Sequence, residues 1–208
     1  MSESMPARSS DYLLNEAALV LSEVEDYVWD GSTLPVPIES IAEDHFGLLI
    51  REVVDIAAEL GGPDLPEGQL ISGALIPEKA EIWVDATEAS RWPRRRRYTI
   101  AHEIGHWVLH RGPDTVHCRE AAVDPVEVVT DMHNSSAESW AGAAAGAGPA
   151  AVEWEANVFG GALLLPPWLV REVWDEHHTV EAIAEAFDCS LSAVQKRWQM
   201  HYSFIGRG

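Results

Sequence analysis

Positive charge is scarce in this chain. Its 208 residues carry 14 Lys and Arg against 34 Asp and Glu, a formal net charge of −20. A surface this acidic repels phosphate backbones, which argues against a general nucleic-acid binder, and it favours solubility. Cysteine is nearly absent: Cys118 and Cys189 are too few for a disulfide scaffold. No run of about 18 apolar residues occurs, so no membrane-spanning helix is expected. The N-terminus, MSESMPARSSDYLLNEAALV, has no charged start, long apolar stretch or small-residue cleavage site of the kind that marks a secretory signal. A cytoplasmic protein is the expectation.

The apolar residues that are present fall into short periodic stretches. Residues 11–29 have helical spacing, with Leu13, Ala17, Val20, Leu21 and Val24 on one side. Pro37 can open a short helix that stops at Gly47. LLIREVV (48–54), QLISGALI (69–76) and AEIWVD (80–85) read as strands, the last two split by Pro77. A helix is expected over about 98–110. Residues 111–150 look irregular and end in an Ala/Gly-rich tract, read as a flexible loop near 140–151. A second strong helix is expected over 151–165, stopped by Pro166 and Pro167. WLVREVWDEHH and the pair TVEAIAEAF and SLSAVQKRW, broken at Asp188-Cys189, continue as helices. Strands followed by helices in this proportion predict an α+β fold.

The chemistry concentrates in TIAHEIGHWVLH (99–110). His102 and His106 are four apart and project from one helix face. Two imidazoles at that spacing can share one tetrahedral zinc ion and leave room for a third protein ligand and a water. Glu103 is placed to take a proton from that water, whose pKa zinc lowers to near 7. Ala101, Ile104 and Val108 face the core. Gly105, unfavourable in a helix interior, implies close approach of a strand or of the second helix. The competing reading is an amphipathic helix with surface histidines.

The second helix, EWEANVFGGALLL (153–165), supplies a third ligand. Glu153 and Asn157 share a face, whereas Glu155 points almost oppositely. Glu153 is the expected zinc ligand, with Glu155 as the solvated alternative. Asn157 is expected to accept a hydrogen bond from the outer ring nitrogen of a ligating histidine. Ala156, Phe159 and Leu163 supply the buried side.

RYTIAHEIGHWVLH followed by EWEANVFGGALLLP resembles the ImmA/IrrE family of bacterial and phage zinc metallopeptidases. That family shows hydrophobic–Thr–hydrophobic–Ala–HExxH–x–hydrophobic–hydrophobic–His, then E-x-x-A-N-x-F-A-x-x-L-L-M-P. PVPIESIAEDHFGLLI and the tail TVEAIAEAFDCSLSAVQKRW extend the resemblance to about residues 35–200. It implies His102, His106 and Glu153 as zinc ligands and Glu103 as the catalytic base. It also implies a zincin-like α+β fold: a small mixed sheet on an active-site helix and a third-ligand helix. The implied domains are an N-terminal helix at 1–34, the peptidase domain at 35–170 and a helix–turn–helix-like extension at 171–208. Gly160 and Gly161 replace the family's usual Ala pair, Leu165 stands where Met is common, and the stretch from His106 to Glu153 is long. Family members are cytoplasmic endopeptidases, several of which cut helix–turn–helix repressors to switch on mobile-element or stress genes. A repressor is therefore the expected substrate. The alternative is a non-catalytic zinc-binding module in a regulatory, toxin–antitoxin-like or phage-defence pair.

Other features carry less. His110 is read either as an outer neighbour that supports a metal ligand or as a helix-end histidine favoured by the dipole. His117, His133, His177 and His178 are further candidates that the sequence does not rank. The one basic cluster, RWPRRRR (91–97), is expected to be a loop whose arginines pair with carboxylates, with Arg95 or Arg97 available to a substrate chain. The C-terminal pair is expected to pack or dock a protein rather than bind DNA. Cys118 is expected to be an ordinary free thiol, with a latent fourth zinc ligand as the alternative.

Overall fold

A computed structural model describes residues 7–61, 69–110, 117–122 and 148–202, with only the backbone path at 69 and 117–122. The chain is mixed α+β, as expected, with a small mixed sheet and a majority of helix.

Helix α1 (Ser10–Glu23) begins where the Ser9 hydroxyl accepts the Tyr12 N–H. Leu13, Ala17, Val20 and Leu21 form its buried stripe, as their spacing predicts. The helix is shorter than expected because Val24 turns extended and enters the core. Beyond it the Trp29 indole, also buried, donates to the Thr33 carbonyl at 2.8 Å. Helix α2 (Ile38–Ser40) runs into a π turn (Ile41–His45), and the chain then reverses at Gly47, whose φ of +66° suits glycine.

Among the described residues the sheet has four strands in the order β1-β3-β2-β4. Strand β1 (Leu49–Val53) is parallel to β3 (Glu81–Asp85), and β2 (Gln69–Ile76) is antiparallel both to β3 and to β4 (His117–Ala122). The short helix α3 (Ile56–Glu59) follows β1. A bulge at Ser72 shifts the β2–β4 register between Ile71 and Gly73. Strand β4 corrects the expectation that 111–150 is irregular throughout. Its stabilisation comes from pairing with β2, a long-range contact that local pattern does not announce.

Helix α4 (Ala86–Arg91) is capped by the Asp85 carboxylate. Helix α5 (Pro93–His110) follows and begins five residues earlier than expected. Proline suits a first helical position because its missing N–H would have no partner there. The arginine cluster is thus helix, not loop, but its side chains do pair with carboxylates: Arg94 with Asp188, Arg95 with Glu88, Arg96 with Glu39, and Arg97 with Asp188. Helix α6 (Pro149–Leu164) starts at a proline too, so residues 149 and 150 of the expected loop belong to it. The rest of the Ala/Gly tract lies outside the described residues. Helices α7 (Pro167–His177), α8 (Val180–Ala186) and α9 (Leu191–Arg197) follow, with Thr179 and Ser190 as side-chain caps, and a π turn (Trp198–Tyr202) ends the described residues.

One core joins all three expected segments: Ala17 and Leu21, then Ile38, Leu75, Ile82, Ile100, Ile104, Phe159 and Leu163, then Leu169, Ile183, Phe187 and Tyr202. The C-terminal helices pack against α6, where the buried Arg197 guanidinium donates to the Val158 carbonyl and the Tyr202 hydroxyl to that of Leu165. Among the described residues no helix is long and apolar enough to cross a membrane.

Candidate metal centre

Helix α5 is buried from Thr99 through His106, so its histidines lie inside the protein rather than on a surface stripe. That removes the reading of an amphipathic helix with surface histidines. Helix α6 lies antiparallel against it, because two glycines let the backbones touch. A Cβ on Gly105 would stand 2.9 Å from the Ala156 carbonyl oxygen. A Cβ on Gly160 would stand 2.6 Å from the Ala101 oxygen and 2.8 Å from the His102 nitrogen. The close approach expected at Gly105 is therefore to the second helix.

This contact brings Glu153 of α6 over the histidine pair. The Nε2 atoms of His102 and His106 are 3.0 Å apart. Glu153 Oε2 lies 3.2 Å from His102 Nε2, and Oε1 lies 3.2 Å from His106 Nε2. Zinc ligands at about 2.0–2.1 Å in a tetrahedron stand about 3.3–3.4 Å from one another. Glu153 sets one carboxylate oxygen beside each ring nitrogen at close to that spacing, and the cluster can hold a metal ion. Burial pushes the Glu153 carboxyl up. The hydrogen bonds and charges of the two histidines outweigh this and hold it well below the usual carboxylate range. Its side chain keeps 40% of its exposure while both histidines are buried, so the open side of the centre is beside Glu153.

Glu103 is fully buried, next to His102. Its carboxylate lies against β2: a Cβ on Gly73 would be 3.1 Å from Glu103 Oε1 and would collide with the Thr99 methyl. Glycine beside the bulge is what lets the strand cover the helix here.

Two neighbours behave otherwise than expected. Glu155 is not solvated: it is 4% exposed. Its Oε1 accepts the Arg8 backbone N–H at 2.6 Å, its Oε2 accepts the Arg8 guanidinium, and His110 Nε2 lies 3.5 Å away. The face of α6 opposite Glu153 is covered by the start of the chain, which spacing along α6 alone does not reveal. His110 faces Glu155 and also lies beside His106, their ring centroids 5.6 Å apart. Asn157 has different partners from the expected histidine ring: Oδ1 accepts from the Tyr98 hydroxyl at 2.9 Å and Nδ2 donates to the Glu153 carbonyl at 2.8 Å.

Of the remaining candidates, His177 lies beside Glu176 and His178 stacks edge-on against Trp174 at the end of α7, apart from the cluster. His133 and the side chains of His117 and Cys118 lie outside what is described. Of the arginines considered for a substrate chain, Arg97 donates to the Val36 carbonyl at 2.8 Å and Arg95 pairs with the buried Glu88. Arg8 and Tyr98 were not singled out by sequence. Tyr98 had a signal, since it stands one turn before His102 on the same row. Arg8 had none. Neither a scan of protein-family models nor a search of curated proteins finds a match for this chain.

Proposed function

We propose that this chain is a zinc-dependent endopeptidase with a zincin-like arrangement, in line with its resemblance to the ImmA/IrrE family. The observation that carries the reading is the convergence of His102, His106 and Glu153 with a buried carboxylate, Glu103, adjacent in sequence to the first ligand. A purely structural zinc site closes its fourth position with another protein ligand and needs no acid beside a histidine. Among the described residues three donors meet, and the third is half-exposed.

His102, His106 and Glu153 hold the ion. Zinc, when bound, lowers the pKa of its water to near 7 and polarises a scissile carbonyl. Glu103 takes the proton of the attacking water and delivers it to the leaving nitrogen. Strand β2, packed against the buried Glu103 carboxylate, shields that transfer from bulk water. The proposed substrate is a helix–turn–helix repressor. A net charge of −20 supports this, because DNA-binding domains present basic faces and opposite charge speeds association.

Metal stoichiometry and cleavage together test the reading. Wild type is expected to hold one zinc per chain, and His102→Ala and Glu153→Ala to lose it. Glu103→Gln should keep the zinc and lose cleavage of a repressor substrate by about 100-fold or more. Zinc loss in Glu103→Gln would show that Glu103 is a ligand or a structural group instead of the base. A wild type that takes up no zinc would sink the peptidase reading.

A further inference from the structure

The metal centre depends on the axial register of two antiparallel helices. Their backbone contact is made by small residues: Ala101 and Gly105 on α5, Ala156 and Gly160 on α6. Such a surface permits close approach but offers little relief against sliding. A shift of one residue along a helix is about 1.5 Å, whereas ligand distances tolerate only about 0.2 Å. Glu153 is itself a long, half-exposed side chain on that sliding surface. Something directional has to set the register.

The row beside the glycines supplies it. His102 meets Glu153, and one turn earlier on α5 Tyr98 meets Asn157, one turn later on α6. The stepping matches that of the glycine contacts, as it must for antiparallel helices. The polarity of the link is unique. The Glu153 carbonyl only accepts, so the Asn157 amide nitrogen must face it. The amide oxygen then faces Tyr98, whose hydroxyl must donate.

We propose that Tyr98 is a positioning residue of the metal centre, its hydroxyl acting through Asn157 to set the register that brings Glu153 to His102 and His106. This rests on the metal-site reading above. Tyr98 is not one of the three ligating side chains. It holds the backbone that carries the third ligand.

The test is zinc affinity, measured by competition with a chromogenic chelator on the full chain. Wild type, Tyr98→Phe, Asn157→Ala and the double variant are compared, with metal-free melting temperatures alongside. Tyr98→Phe should weaken zinc binding about tenfold, the scale of losing an outer partner of a metal ligand. The double variant should bind within about twofold of Asn157→Ala, because the two groups act as one link. A merely structural tyrosine would lower the metal-free melting temperature and leave the zinc affinity of the folded protein unchanged. Tyr98→Phe with wild-type affinity would overturn the proposal, as would losses that multiply in the double variant. Should Asn157→Ala fail to fold, Tyr98→Phe alone decides. Wild type without zinc affinity would overturn the metal centre itself, and the proposal with it.

Discussion

Glu153 and Glu155 are two residues apart on one helix and meet opposite environments. Glu153 is half-exposed over two histidines, while Glu155 is buried against Arg8 and His110. The glycines at the contact of α5 and α6 are constrained as tightly. Gly160→Ala would put a methyl group 2.6 Å from the Ala101 oxygen, and Gly105→Ala one 2.9 Å from the Ala156 oxygen. In both cases the obstacle is backbone, so the helices must separate. Overpacking of this kind costs about 1–3 kcal/mol, and the gain in helix propensity returns about 1 kcal/mol. Chemical denaturation should therefore show both variants destabilised, Gly160→Ala more so, with zinc affinity reduced as the helices part. Unchanged midpoints would mean that the helix contact yields without cost.

Elements far apart in sequence meet at the two ends of α5. At its start, Arg94 to Arg97 reach Asp188 beyond α8, Glu88 of α4, Glu39 of α2 and Glu52 of β1. At its end, the segment before α1 ties two helices together: Arg8 binds Glu155 of α6, and its second guanidinium nitrogen donates to the Leu109 carbonyl at 3.3 Å. Carbonyls in a last helical turn have no partner within the helix, so that donor is well placed. Arg8→Ala would leave the buried Glu155 with the backbone N–H of residue 8 and His110. The expected loss is about 1.5–3 kcal/mol, the range for hydrogen bonds to charged groups. Arg8→Lys, which keeps the charge but not the fork, should recover part of it. An Arg8→Ala protein as stable as wild type would show that the start of the chain is not held this way.

The whole molecule should show a stability plateau bounded on both sides of neutral pH. Hydrogen bonds hold Asp30, Glu25 and Glu81 below the usual carboxylate range: Asp30 through Thr33, Glu25 through His45, Glu81 through the Trp83 indole. Groups with depressed folded pKa values contribute stability that is present above the unfolded value and lost as pH falls. Burial works the other way for Asp85, raising its carboxyl, so it opposes that trend. Burial also pushes the Cys189 thiol up from 9.0 to about 11, and it raises Tyr202. The contribution of Cys189 is present below about pH 9 and is lost as pH rises through about 11, and Tyr202 acts in the same direction. Thermal melts of the metal-free protein should accordingly fall off in acid and again above about pH 9. An alkaline loss that begins near neutrality would contradict the buried thiol and phenol.

The features legible along the chain are local. The histidine pair on one helix face, the Glu153–Asn157 face, the buried stripe of α1, the strands around Pro77 and the stop at Pro166 all follow from spacing, proline stereochemistry and short-range turns. Each is decided within a few residues. Tertiary structure alone decided the rest. It placed Glu155 under Arg8, 147 residues away, paired Tyr98 with Asn157 across 59, and recruited β4 to β2 by pairing rather than by pattern. It also drew the arginine cluster into α5, where carboxylates from other elements meet it. Glu153 and Glu155 are the same residue type on the same helix. Only the partner that packs on each face separates the one that faces the histidines from the one that is buried.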